Sequence, residues 1–319
     1  MPAVAKVHVD KLLDAIVIAT KQELSEFIAD QIFPEVSVDK ESDKFGKYDV
    51  STFLRRPTAR AGGILRKPSS KFPRADFDTS TDDYQCEEYG LEHAMDDRVK
   101  DNADAAYMIE SVPGELLTYH VAREREIRVK DTVTDTAKIT QNTTLSGTSQ
   151  WNDVGSNIVK HFEDASETIL KATGRLPNLA VIPWQVWRFV KHHPKLLERI
   201  QYKDSQKPTV GPQGFFDIFA ESFAPDSKIL VPKSILDSSK EGQTASLGYL
   251  WPKDVLVAYV DPAPVKGKPT FGYTMTKQRT MGQRYRDEEI TSDVSRVSEI
   301  LVEKVVEKNC AYLIKSAVS

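Results

Sequence analysis

This 319-residue chain has only two cysteines and six histidines, so it has little to offer to metal or thiol chemistry. Cys86 and Cys310 lie far apart and lack metal spacing. No disulfide framework can be built from them, and a reduced compartment is the default. Long apolar runs are also missing. The stretch from Ala15 to Ala19 follows Asp14 and ends before Lys21, which does not make a secretory signal. No run approaches the roughly 18–20 apolar residues of a membrane span. A basic excess is missing too: 43 Lys and Arg face 47 Asp and Glu, for a net charge of −4. A chain whose task is to coat nucleic acid needs the opposite sign, because it must neutralise phosphates.

Catalytic signatures are equally scarce. There is no Gly-x-Ser-x-Gly elbow, no His-Glu-x-x-His and no Gly-x-Gly-x-x-Gly. Gly267 and Gly272 have the spacing of a phosphate loop, but Tyr273 stands where the phosphate-binding lysine belongs. His192 and His193 are neighbours that would point ~100° apart on a helix, which does not suit one metal. Glu88, Glu92 and Asp96 would share a stripe if that part were helical, and they read as a solvated acidic face. No cofactor and no metal site is expected.

What is present is a separation of charge. From Ser51 to Arg74 there are seven basic residues and no acid: Arg55, Arg56, Arg60, Arg66, Lys67, Lys71 and Arg74. From Asp76 to Asp97 there are nine acids and no Lys or Arg, among them Asp82, Asp83, Glu87 and Glu88. The segment is too polar to build its own core. Its two blocks can fold back on each other, or each can meet the opposite block of a neighbouring copy.

The rest of the chain reads as mixed helix and strand. Leu12, Leu13, Ile16, Ala19, Leu24, Phe27, Ile28 and Ile32 mark an amphipathic helix that Pro34 ends, and an extended polar stretch follows. Asp97 to Ile109 reads as one helix, and Gly114 to about Thr136 as a second. The middle of the second, Arg123 to Asp131, is charged nearly all round, with Glu124 and Arg128 spaced as a favourable pair. Such a helix is expected to bridge solvent or lie between molecules. Residues 140–151 are turn-rich and read as a linker ending on an anchoring Trp151. Residues 154–202 carry the clearest α/β signal: a helix capped by Gly174, a strand Leu179–Ile182, a helix opened by Pro183 and another after His193-Pro194. A Gly/Pro-rich loop, an aromatic helix around Phe215 and short strands near 229–231, 247–251, 256–260 and 270–275 come next. From 290 onwards Ile300, Val302 and Val306 lie on one parity and Leu301 and Val305 on the other, as in a strand buried on both faces.

Taken in order, these segments resemble the major capsid protein of tailed bacteriophages, the Hong Kong 97-type fold. The similarity is carried by three stretches. Asp96-Asp-Arg98 through Glu115-Leu-Leu-Thr to Arg123-Glu-Arg-Glu-Ile-Arg-Val129 looks like the spine helix and its approach. Trp151-Asn through Lys171-Ala-Thr-Gly-Arg-Leu-Pro-Asn178, Val186-Trp187 and His193-Pro194 to Ile200-Gln-Tyr202 looks like the shell-centre domain. Val260-Asp-Pro-Ala-Pro264, Pro269-Thr-Phe-Gly-Tyr273 and the ending Ala311-Tyr-Leu-Ile314 look like the return strands.

The resemblance implies an α+β fold with a long spine helix on a sheet, an extended hairpin loop and a central α/β axial domain. Residues 1–45 would be the N-terminal arm and 46–97 the extended loop. Residues 98–150 with 285–319 would form the peripheral domain, and 151–284 the axial domain. It implies a homo-oligomer of pentamers and hexamers in an icosahedral shell around double-stranded DNA, with no sequence-specific binding and no membrane. The arm begins almost at Met1, so a separate scaffolding protein is expected, together with a portal. Intersubunit contacts are then expected from Arg55, Arg56, Arg60, Arg66, Lys67, Lys71, Asp82, Asp83, Glu87, Glu88, Glu124, Arg125 and Arg128. Two alternatives stand beside this: an encapsulin-type nanocompartment, and a soluble α/β enzyme with a site around Trp184, His192 and His193.

Overall fold

The computed structural model describes residues 27–48, 65–66, 68–69, 71–72, 79–101, 112–201, 211–219, 221–240, 242–263 and 268–319. Most of the expected first helix and the basic block from 51 to 64 lie outside them.

Helix α1 (Ala29–Ile32) stops one residue short of Pro34, whose ring restricts the residue before it to extended backbone. Strands β1 (Glu35–Ser37) and β2 (Ser42–Tyr48) follow. β2 pairs antiparallel with β3 (Thr79–Gln85), forming the two arms of a hairpin. β4 (Glu87–Asp96) and α2 (Asp97–Asp101) lead on to the long α3 (Val112–Thr134), with Pro113 in its first turn where a missing N–H costs nothing.

The second half brings β5 (Asn142–Thr144), α4 (Ile158–Thr173), β6 (Leu179–Val181), α5 (Trp184–Val190), α6 (Pro194–Gln201), α7 (Pro212–Ile218) and β7 (Lys228–Leu230). After these come β8 (Ile235–Asp237), β9 (Leu247–Tyr249), β10 (Val255–Ala258), β11 (Gly272–Asp287), β12 (Ser292–Val305) and β13 (Ala311–Lys315). Gly174 ends α4 at φ 68°, a left-handed cap that glycine adopts without strain.

Two sheets organise the molecule. The first has the order β1-β11-β12-β4, built on the long antiparallel pair of β11 and β12. The second has the order β5-β13-β10-β6-β7. Its central strands β13, β10 and β6 are buried on both faces with the period-two alternation that a pleat imposes. Val255, Val257, Ala180 and Ile314 face one core, which holds α4 and the rings of Phe162, Phe215, Phe219 and Phe223. Leu256, Ala258, Val181 and Leu313 face another. That second core also takes Val129 and Val133 of α3 and Ile28, Ile32 and Phe33 of the arm. Helix α3 therefore spans both sheets, because its N-terminal half packs Leu117 and Val121 on Val297 of β12.

Strand pairing runs across three edges of the expected partition. β5 pairs with β13, so residues 142–144 and 311–315 share the second sheet. β11 begins at Gly272, so the first sheet takes residues 272–284 as well. The stretch 140–151 is thus no free linker. Leu145 and Trp151 donate backbone hydrogen bonds to Lys315 and Ala317, at 3.0 and 2.7 Å. The partner strand lies some 170 residues downstream, so no local pattern announces the pairing. Gly272, whose spacing from Gly267 matched a phosphate loop, has a packing reason. A Cβ there would lie 2.6 Å from the Lys304 carbonyl and would strike the Phe33 ring.

Candidate assembly surface: the spine helix and the charged strap

Helix α3 buries one stripe at four-residue spacing: Leu117, Val121, Arg125, Val129 and Val133. A guanidinium thus occupies the middle of an otherwise apolar row, next to Glu126, which is fully buried. Charge this deep needs partners, and both residues find them in the N-terminal arm. Arg125 Nη2 lies 2.7 Å from Asp30, and its Nη1 donates to Glu35 at 3.2 Å. Glu126 Oε2 accepts the backbone N–H of Ile28 and Ala29 at 3.0 and 2.8 Å. Its Oε1 accepts the indole N–H of Trp251 at 2.7 Å. The amides at the start of α1, which no helix satisfies internally, are therefore capped from a neighbouring helix. Burial pushes the Glu126 carboxyl up to about 7, against the three N–H donors that pull it down. Burial also disfavours the Arg125 charge, but the carboxylates of Asp30, Glu299, Glu35 and Glu303 outweigh it and hold its pKa above the ordinary value.

Arg128, one turn on, is held in the same way. It donates to Glu303 at 2.9 Å and to Glu299 at 3.4 Å, and its guanidinium carbon lies 3.7 Å from the centre of the Tyr89 ring. The expectation that Arg125 faces a neighbouring copy is therefore corrected: β12 and the arm bring four carboxylates to that face of the helix and its side chain is 3% exposed, whereas Arg128 is half-buried. Glu124 is exposed on the other side and remains available. The sequence signal for the correction was present in the four-residue spacing through Arg125, but charge at that position hid the stripe.

The acidic half of the strap divides between two elements. Asp82 and Asp83 sit on β3, and Glu87 and Glu88 open β4, the edge strand of the first sheet. Asp82 is 3.1 Å from Lys304, and Glu87 accepts the Tyr89 hydroxyl at 3.0 Å. Asp83 and Glu88 are exposed and have no ion-pair partner among the described residues. Glu92 faces Arg296 across the β4–β12 register at 2.8 Å and also takes the Tyr285 hydroxyl, which together lower its pKa. Arg286 grips Asp97 with two bonds of 2.6 Å. The acids that are paired therefore meet bases of β11 and β12 in their own chain. Glu88, Glu92 and Asp96 do share one face, but on a strand they are spaced roughly 13 Å apart, too far for one cation. Of the basic half, Arg66 and Lys71 are exposed, with Arg66 placed 4.6 Å over the Phe72 ring. Arg55, Arg56, Arg60 and Lys67 lie outside the described residues.

The histidines of the enzyme alternative form no site. His193 is buried with its Nε2 at 3.2 Å from the Asp153 carbonyl, and His192 is exposed on the opposite side of the turn.

No protein-family model matches the chain. Two curated relatives do. The major capsid protein of Burkholderia phage BcepMu is 28% identical over 298 residues, covering 91% of each chain. That of Pseudomonas phage JBD67 is 27% identical over 270 residues, covering 83% of this chain and 82% of the relative. In fold, a phage-related protein from Bordetella bronchiseptica superimposes with a TM-score of 0.72 over 98% of both chains at 22% identity. The mature capsid of bacteriophage PhiM1 gives 0.57 over 89% of this chain and 85% of that one at 12% identity. A virus-like particle from Pyrococcus furiosus also gives 0.57, over 96% of this chain and at 10% identity. Fold alone does not separate a viral coat from other shells, but the relatives found by sequence are phage coat proteins, so the nanocompartment alternative is not favoured. The same relatives set aside the enzyme alternative. The chain has the Hong Kong 97-type capsid fold, and along nine-tenths of its length it is similar to the major capsid protein of a phage.

Proposed function

We propose that copies of this chain assemble through pentamers and hexamers into an icosahedral shell that encloses double-stranded DNA, in the host cytoplasm, aided by a separate scaffolding protein and closed by a portal. The match to two phage coat proteins, over 91% and 83% of this chain, carries this reading. A closed shell built from one chain suits many modest contacts that add up. The contact residues are exposed members of the strap and, on α3, Glu124. Asp83, Glu87, Glu88 and Glu124 receive the basic block Arg55, Arg56, Arg60, Arg66, Lys67 and Lys71 of a neighbouring copy. The support is that Asp83, Glu88 and Glu124 are exposed and have no ion-pair partner among the described residues, while the basic block lies in the same strap.

The experiment is reversal of Arg55, Arg56 and Arg60 to glutamate. The variant keeps the circular dichroism and melting temperature of the parent and yields no shells by negative-stain microscopy. Parent-like shells from the variant would sink the strap contact. Absence of any capsomer or shell from the parent, with its scaffolding protein supplied, would sink the coat reading itself.

A further inference from the structure

One basic region of the axial domain plays no part in the contacts described above. Between Glu167 and Glu198 the chain carries no acid but five bases: Lys171, Arg175, Arg188, Lys191 and Lys195. Between Asp226 and Asp237 it carries Lys228 and Lys233, again with no acid. In a chain of net charge −4 this is a strong local excess. The fold adds the two stretches together. β6 and β7 pair in parallel, and the chain leaving each one turns at the same end. There the backbone N–H of Trp184 donates to the Pro232 carbonyl at 3.1 Å, so α5 starts beside Lys233.

Two ammonium groups consequently share one indole. Lys191 Nζ lies 5.3 Å from the centre of the Trp184 ring, and Lys233 Nζ lies 5.2 Å from it. Arg188 stands 4.7 Å over the Phe189 ring on the same short helix. Each ring attracts a cation by about 0.5–1 kcal/mol at an exposed site, enough to orient it but little against repulsion between like charges. Arg188, Lys191 and Lys233 have no acidic partner among the described residues, whereas Arg125, Arg128, Arg286 and Arg296 all do. An anion lying along this face would meet cations that no carboxylate among the described residues neutralises. The cations sit on an exposed helix face and the strand end beside it, with few groups to read a particular ligand. That arrangement suits a repeating polyanion.

We propose that Arg188, Lys191 and Lys233, held over Trp184 and Phe189, form a docking strip for the phosphate backbone of duplex DNA, and that this end of the β6–β7 pair faces the interior of the shell. The strip rests on the coat reading above. It binds without regard to sequence, because phosphate contacts carry no base information. It is also small enough to leave the packed DNA mobile, since each cation neutralises a single phosphate.

The test is fluorescence anisotropy of a labelled duplex titrated with purified protein across a salt series. Combined Arg188→Ala, Lys191→Ala and Lys233→Ala should lower the slope of log K against log salt by about 2–3, at roughly 0.9 per cation removed, and weaken low-salt binding at least about tenfold. A control variant with the same charge change, Lys160→Ala, Lys240→Ala and Lys308→Ala, should retain the parent slope. Trp184 is the tryptophan that is not buried, so the duplex should also quench the parent's fluorescence and not the variant's. An unchanged slope, or an equal loss in the control, overturns the strip. Tighter binding of polyglutamate than of duplex overturns it in favour of an acidic protein partner. Microscopy on the same samples keeps the two readings apart. Shells with unaltered DNA binding in the variant refute the strip alone, and failure of the parent to form shells refutes the coat reading.

Discussion

Helix α4 and helix α3 each lie against a sheet, and they are buried with opposite chemistry. α4 places Ile158, Phe162, Ala165 and Ile169 among phenylalanine rings, with centroid separations of 5.1 Å from Phe162 to Phe215 and 5.5 Å to Phe219. α3 puts Arg125 and Glu126 in the middle of its buried stripe and pairs them with carboxylates, amides and an indole from elsewhere in the chain. An apolar core holds by area and shape, with little demand on where each partner lies. A buried charge network contributes less net stability but demands a particular arrangement, because each group left without its partner is costly. The axial side thus has the chemistry of an ordinary core. The spine side has the chemistry of a clamp, in which the arm is fixed by direction as well as by contact.

Substitutions at the two helices should separate those two modes. Phe162→Ala should give the largest effect, a loss of about 3–5 kcal/mol, because a fully enclosed ring leaves a cavity that its neighbours cannot fill. Urea unfolding monitored by fluorescence checks it. Glu126→Ala should cost somewhat less, about 2–4 kcal/mol, since it strands two amides and an indole N–H that can reach water once the arm lifts. Its distinguishing mark is rapid proteolysis within residues 28–37, which Phe162→Ala should not reproduce below its own melting point.

Acidity offers a finer probe of the clamp. The carboxyl of Glu126 sits at about 7 in the folded chain against an ordinary 4.5. Between those values the folded state binds more protons than the unfolded state, so this group's contribution to stability falls as pH rises from about 4.5 to about 7 and is flat above that. The slope is about 1 kcal/mol per pH unit, and Glu126→Gln should abolish it. Melting curves at a series of pH values would show this, and equal slopes in parent and variant would refute the buried carboxyl as its source. The smallest effect should come from Arg296→Ala. It removes an exposed cross-strand pair with Glu92 and should cost less than about 1 kcal/mol, an amount that raised salt should largely erase in the parent.

Much of the axial side could be read from the chain in advance. The helical spacing of Ile158, Phe162, Ala165 and Ile169, the glycine cap at 174 and the apolar run Leu179–Ile182 all correspond to elements of the structure, since local periodicity and turn chemistry suffice to specify them. The spine helix could be placed as well, to within two residues at each end. Its burial could not. Arg125 interrupts the stripe, and no rule of spacing says that Asp30, Glu35 and Glu303 will converge on it from the arm and from β12. Strand β5 was missed for a related reason: its ladder is made with β13, and Asn142-Thr-Thr looks like any polar turn until that partner is present. The charge strap was legible as composition, but the pairing of Glu92 with Arg296 and of Asp97 with Arg286 depends on the β4–β12 register.

The sequence by itself determined that this chain carries no familiar metal, nucleophile or nucleotide motif, that it alternates helix and strand in an order resembling a phage coat protein, and that its charge is separated along residues 51–97. Those are properties of composition, spacing and order, which need no partner to be expressed. Only the tertiary structure decided which charges are spent inside the chain and which remain on its surface. An ion pair depends on distances of a few ångströms between residues that lie 90 to 204 positions apart, as Arg125 and Glu35 or Arg296 and Glu92 do.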